Sequence, residues 1–180
     1  MDSLPRMTSS PPDPAAGTDE TRIPGGPGWC MDARTLLPVI EDLGEFQSAH
    51  ADDRALPILT ELWSGRPEKA EPLALALVKA EPTLRHRALL ADVRRDLGRI
   101  SWAVAEYAEL IEQSRGTARE AFIWQHLGKA HFVGQDYPKA AQAFETALSL
   151  RLRDTAAEDL IASSRMALQR TRTLLCDPNR

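Results

Sequence analysis

Histidine is the side chain most often used for acid–base or metal chemistry near neutral pH, and this chain of 180 residues has four, at His50, His86, His126 and His131. Only His126 and His131 are close, and a spacing of five turns their rings to different sides of a helix. No H-E-x-x-H pattern accompanies them. Cys30 and Cys176 lie near opposite ends without metal-ligand spacing, and read as free thiols in a reducing compartment. The run Gly25-Gly26-Pro27-Gly28 lacks the Lys-Ser/Thr and the preceding strand of a phosphate loop. Carboxylates are plentiful, but they fall on outward helical faces or at helix starts. A nucleophile, a base and an orienting group gathered in one pocket leave a trace in residue types and spacing, and there is none. The expectation is a non-enzymatic protein with no catalytic residue, no cofactor and no metal.

The elements that would position any binding residue are clearest between Ala121 and Leu148. Trp124, Leu127, Gly128 and His131 fall at i, i+3, i+4 and i+7, which is one face of a helix. Ala140, Phe144, Ala147 and Leu148 mark the facing stripe of a second helix. A glycine inside a helix costs about 1 kcal/mol relative to alanine, so Gly128 on the buried stripe implies an approach too close for a Cβ. Ala140 is the expected opposing residue.

Trp124, Leu127, Gly128, Tyr137, Ala140, Phe144 and Ala147 together resemble the signature of a tetratricopeptide repeat, a helix-turn-helix unit of roughly 34 residues. His131 stands where that family usually has Tyr. One unit cannot bury both its faces, and about three are needed for a stable stack. Upstream, Ala103, Tyr107, Leu90 and Ala91 align with Ala140, Phe144, Leu127 and Gly128, with Gly98 at the turn. One unit earlier, Ala70, Leu77 and Gly65 align with Ala103, Leu110 and Gly98. Arg54 there falls in the slot of Trp124, and Pro57 must lie in a first helical turn. The units read as about 51–83, 84–120 and 121–154, the middle one stretched around Ser114 to Thr117. Thr117 with Glu120, and Thr155 with Glu158, have the form of capping boxes. A final helix, about 155–175, carries Ala157, Leu160, Ile161, Ser164, Leu168, Thr171 and Leu175 on one face, with Glu158, Asp159, Arg165, Gln169 and Arg172 opposite. It suits a solvating cap. The alternatives are a dimerisation helix and a membrane-surface helix, and mixed charge disfavours the latter.

Residues 1–30, rich in Pro and Gly, offer little apolar surface and read as a disordered tail; 31–180 reads as one domain. A start at Met31 would retain every expected helix. Leu36, Leu37, Val39, Ile40, Leu43 and Phe46 form an amphipathic segment, about 34–49, with Pro38 in its first turn and Gly44 ending or bending it. It either covers the start of the stack or folds into the concave face, and either way limits access. No apolar stretch has the length of a signal or a membrane span, which suggests a cytoplasmic protein. A net charge of −4 with scattered basic residues argues against nucleic acid. Lysine only at Lys69, Lys79, Lys129 and Lys139, with abundant alanine, correlates with a GC-rich bacterial genome.

The expected fold is all-α, a right-handed superhelical stack of three helix-turn-helix repeats with a C-terminal capping helix. The resemblance implies that the first helix of each unit lines a concave groove. It nominates Asp52, Ala55, Leu59, Leu62 and Trp63, then Arg85, Ala88, Asp92 and Arg95, then Phe122, Gln125, Lys129, Phe132 and Val133. Phe122 and Phe132 would anchor a peptide while Arg85, Arg95, Gln125 and Lys129 orient its polar groups; alternatively the two rings pack on a neighbouring unit or on the amphipathic segment. The places where one subclass grips a carboxyl terminus hold Ala55, Leu59, Leu89, Phe122 and His126, so that clamp is absent. The expected role is a scaffold or adaptor for a protein or peptide partner. A homo-oligomer built through the terminal helices, and an accessory subunit of an enzyme, are the alternatives.

Overall fold

The computed structural model describes residues 22–176. It is mostly helical, with eight helices among the described residues: α1 (Leu43–Ala49), α2 (Leu56–Trp63), α3 (Pro67–Ala80), α4 (Leu84–Asp96), α5 (Ile100–Ser114), α6 (Glu120–Val133), α7 (Tyr137–Arg153) and α8 (Glu158–Leu175). From α2 onward each helix packs on the next, and α4 also touches α6. Three-residue turns close the hairpins α2–α3, α4–α5 and α6–α7. In the first two, Gly65 (φ 73°) and Gly98 (φ 78°) take the left-handed conformation that side chains resist. Prolines open helices where a missing N–H costs nothing: Pro57 in α2, Pro67 in α3 and Pro138 in α7 each lie at the first or second position.

The helix starts differ in detail from the capping-box reading. Thr117 does not cap α6; its Oγ1 donates to Ser114 O at 2.6 Å, while Glu120 reaches back to Gly116 N at 2.7 Å. Thr155 (φ 48°) donates to Asp154 O, and α8 begins at Glu158 without a side-chain cap. The working side-chain caps are Asp42, accepting from Glu45 N, Thr83, accepting from His86 N, and Asp136, accepting from Lys139 N.

The amino-terminal region departs most from expectation. Residues 1–21 lie outside the described residues, but 22–30 join the fold. β1 (Arg22–Gly26) pairs antiparallel with β2 (Trp29–Asp32), which pairs antiparallel with β3 (Pro38–Ile40). The helix expected over 34–49 shrinks to α1, and its first half is a turn and a strand. The cause is local. Pro38 disfavours helix at Leu37, Asp32 Oδ1 accepts from Arg34 N and Thr35 N to close a turn, and Leu36 is left-handed (φ 61°). Gly44 sits inside α1, which Asp42 caps. Trp29 tilts onto Trp63 with centroids 4.8 Å apart, and a Cβ on Gly28 would meet Asp42 O and Phe46 N at 2.4 Å. A chain starting at Met31 would lose β1, Trp29 and Cys30.

Three apolar clusters form the core. Phe46, Ile58, Leu62, Leu90 and Val93 centre the first, with Trp29 and Trp63 against it. Tyr107, Leu110, Ile123 and Leu127 centre the second. The third joins Phe132, Ala140, Phe144, Ala167 and Leu168 to Leu36, which is fully buried. The amino-terminal region thus reaches the first cluster through Trp29 and Ile40 of the sheet and the third through Leu36 of the β2–β3 turn. Of the stripe assigned to α8, Ile161, Ser164, Leu168 and Thr171 are buried, while Ala157, Leu160 and Leu175 are exposed.

Gly128 meets the close approach expected of it, but its neighbour is the ring of Phe144 rather than Ala140. A Cβ there would lie 2.6 Å from two ring carbons. Gly128→Leu should therefore lower folding stability by about 3 kcal/mol, because the fully buried Phe144 ring has no open space to move into. Urea unfolding measures it, and an unchanged midpoint would refute the placement.

Candidate interaction surface

The six side chains nominated for the groove separate into two environments. Arg85, in the first turn of α4, is half-exposed and grips Asp53 with both ends of its guanidinium, Nη1 to Oδ1 at 2.9 Å and Nη2 to Oδ2 at 2.5 Å. That bond holds the Asp53 carboxyl below its ordinary range. Phe122, in the first turn of α6, is 39 % exposed and rests on the His126 ring with centroids 4.2 Å apart. These two residues occupy corresponding turns of helices that touch, so together with Asp53 they form a rim at the amino-terminal ends of α4 and α6.

The other four are buried. Phe132 lies against Tyr137 at 5.5 Å, edge to face, within the cluster that Leu36 enters. The packing alternative therefore applies to Phe132, and the amphipathic segment supplies its cover. Arg95, Gln125 and Lys129 belong to a polar core between α4, α5, α6 and α8 rather than to an open groove lining. The physical reason is that the neighbouring helices close over the faces they occupy. Periodicity assigns a residue to a face; it does not say how near the next helix comes.

At the centre of that core is Asp92. Arg95 Nη1 donates to its Oδ1, Tyr107 Oη donates to the same atom at 2.7 Å, and His126 Nδ1 lies 2.9 Å from Oδ2. Burial opposes the Asp92 charge, but the charges of His126 and Arg95 and the bonds from His126 and Tyr107 outweigh it and hold the carboxyl far below its usual range. Arg95 turns its Nε to Asp96 at 2.7 Å. Burial lowers the His126 pKa against the pull of Asp92, and because a carboxylate only accepts, Nδ1–H is the donor to Asp92. The arrangement is an ion pair whose carboxylate accepts from three helices. Among the described residues no group of His, Cys, Asp and Glu could hold a metal, and no helix is long and apolar enough to cross a membrane.

Asp92 and His126 were readable only as concave-face positions. The Asp92–Arg95 spacing of three, which lets them pair on one helix, was the available signal for their burial as a unit. No family model, no curated protein and no solved structure matches this chain.

Lys129 carries a measurable signature. Burial first, then Arg95, lowers its pKa to about 8 from an ordinary 10.5. Unfolding restores the higher value, so between about pH 8 and 10 the unfolded chain binds more protons and folded stability rises with pH. Above that window Tyr107, whose pKa is raised, acts in the opposite sense. Lys129→Met should flatten the rise in the pH dependence of the urea midpoint. A slope identical to the wild type would refute the buried, charged lysine.

Proposed function

We propose that the chain is a tetratricopeptide-type stack of right-handed superhelical form that serves as a non-catalytic scaffold for a protein or peptide partner. Support for the repeat reading comes from equivalent packing at equivalent places. Ala103 with Tyr107 in α5 and Ala140 with Phe144 in α7 are small–aromatic pairs, fully buried, on the second helices of successive hairpins. The observation that carries the binding role is Phe122, a large aromatic with 39 % of its surface exposed where its own helix already has a filled core stripe.

The partner contacts the rim. Phe122 supplies the apolar anchor over His126, and Arg85, pre-set by Asp53, supplies directional donors on the neighbouring helix. Phe132, Arg95, Gln125 and Lys129 are buried further along the same two helices and are not among its first contacts. A second reading, self-association, rests on the carboxy-terminal side, where Leu160 and Leu175 are exposed and an open groove of about 870 Å³ runs between α7 and α8 past Leu148 and Leu168. The chain's mass in solution separates the two.

The test uses wild-type, Phe122→Ser and Phe132→Ser chains as baits against the native cytosol, each checked by circular dichroism. Phe122→Ser should keep its helicity and lose the captured partner. Phe132→Ser should lose about 3 kcal/mol of stability, as buried aromatic truncations do. If the folded Phe122→Ser chain captures the same partner as wild type, the rim reading fails.

A further inference from the structure

The amino-terminal hairpin is fastened to the helices unequally at its two ends. Toward the first cluster the attachment is multiple. Trp29 lies on Trp63 with ring centroids 4.8 Å apart, Ile40 packs against the same cluster, and Gly28 O accepts from Glu41 N at 2.9 Å and from Asp42 N at 3.1 Å. Arg22 adds a bond to Cys30 Sγ at 3.3 Å and an ion pair with Glu41 at 3.6 Å. Toward the third cluster the attachment is one side chain. Leu36 is the only residue of the β2–β3 hairpin in that cluster, where it is fully buried with Phe132, Phe144, Ala167 and Leu168.

The turn that carries Leu36 makes its polar bonds with itself. Leu36 N donates to Asp32 O at 2.8 Å, Asp32 N to Leu37 O at 3.0 Å, and Leu37 N to Thr35 Oγ1 at 3.3 Å. Asp32 Oδ1 accepts from Arg34 N and Thr35 N. Among the described residues, no hydrogen bond or ion pair runs from 32–37 to α6, α7 or α8. Arg34 and Thr35 at the tip are exposed, so nothing covers the turn from outside. Lifting it therefore breaks no polar bond to those helices and gives up only the apolar seat of one leucine. The backbone of Leu36 works against that seat. A φ of 61° is disfavoured for a residue with a Cβ by an amount of the same order as burial of a leucine side chain contributes, so the two nearly offset.

We propose that the β2–β3 turn is a latch that opens by itself: it lifts from α6, α7 and α8 while Trp29 and Ile40 stay on the first cluster, and the apolar seat containing Phe132 is bared. Such an opening exposes little surface and occurs far more often than global unfolding. Once lifted, the turn frays back toward Cys30 and Val39, since strands of four and three residues do not hold together without packing. The closed state hides Phe132 and the open state presents it, about 15 Å along α6 from Phe122. One fold thus holds two amounts of exposed apolar surface, set by a single side chain. The latch belongs to the chain itself and stands whether or not the rim binds a partner.

The test is amide exchange of the full chain, followed over a series of low urea concentrations. In the wild type, protection at Asp32 and Leu36 should be roughly 100-fold below that at the centres of α4 to α6 and flat in urea, because a local opening exposes little surface. Leu36→Asn supplies a residue that accepts the left-handed backbone but not the apolar seat. It should retain its helical ellipticity and the protection of α2 to α5, exchange about tenfold faster over residues 31–39, and bind more of the apolar-surface dye anilinonaphthalene sulfonate than the wild type. Four results would overturn the proposal: wild-type protection at Asp32 and Leu36 that falls with urea as steeply as in α4 to α6, an unchanged exchange rate in the turn of Leu36→Asn, protection lost from all its helices together, or no added dye binding by the folded variant.

Discussion

One buried carboxylate ties the middle of this molecule together. Asp92 of α4 receives Arg95 from its own helix, Tyr107 from α5 and His126 from α6. Removing a carboxylate from water is unfavourable by several kcal/mol, and close, multiple hydrogen bonds are what make it tolerable. The geometry of three helices is constrained as a result. A shift of α6 along its axis would part His126 from Asp92 and leave a charge without its donors. The same ring carries Phe122 on its outer side, so the buried charge positions the exposed aromatic.

Packing on either side works by exclusion rather than by charge. Gly128 lets the Phe144 ring lie against the backbone of α6, which sets the spacing within the third hairpin. The amino-terminal β2–β3 hairpin joins two parts of the core, with Trp29 on Trp63 at one end and Leu36 of its turn in the third cluster at the other. A leucine with φ of 61° is held there at a local conformational cost of about 1–2 kcal/mol, offset by burial of its whole side chain. On the proposed reading, interaction falls to the rim at the amino-terminal ends of α4 and α6 or, for self-association, to the open side of α8.

The helical hairpins were legible because their signals are local and redundant. Apolar spacings of three and four, prolines at helix starts and glycines at turns all agree on the boundaries of α2 to α8 within a few residues. The sheet was not. Its strands are short, Pro24, Gly25 and Gly26 argue against any element, and its stabilising contacts, Trp29 on Trp63 and Leu36 beside Phe132, join residues 34 and 96 positions apart. At the candidate site Arg85 and Phe122 are exposed, whereas Arg95, Gln125, Lys129 and Phe132 are buried. Arg95, Gln125 and Lys129 are polar residues on a nominally open face, and only the approach of neighbouring helices converts them into core. Phe122 and Phe132, ten residues apart on one helix, looked equivalent until Leu36 covered one of them.

The most direct measurement is the stability of Asp92→Asn. The amide is nearly the same size and can still accept from Tyr107, but it removes the charge that balances Arg95. If the buried carboxylate organises α4, α5 and α6, urea unfolding should show a loss of about 3 kcal/mol or more, and amide exchange should quicken in those three helices together. An unfolding midpoint equal to that of the wild type, with exchange unchanged across α4 to α6, would contradict the account.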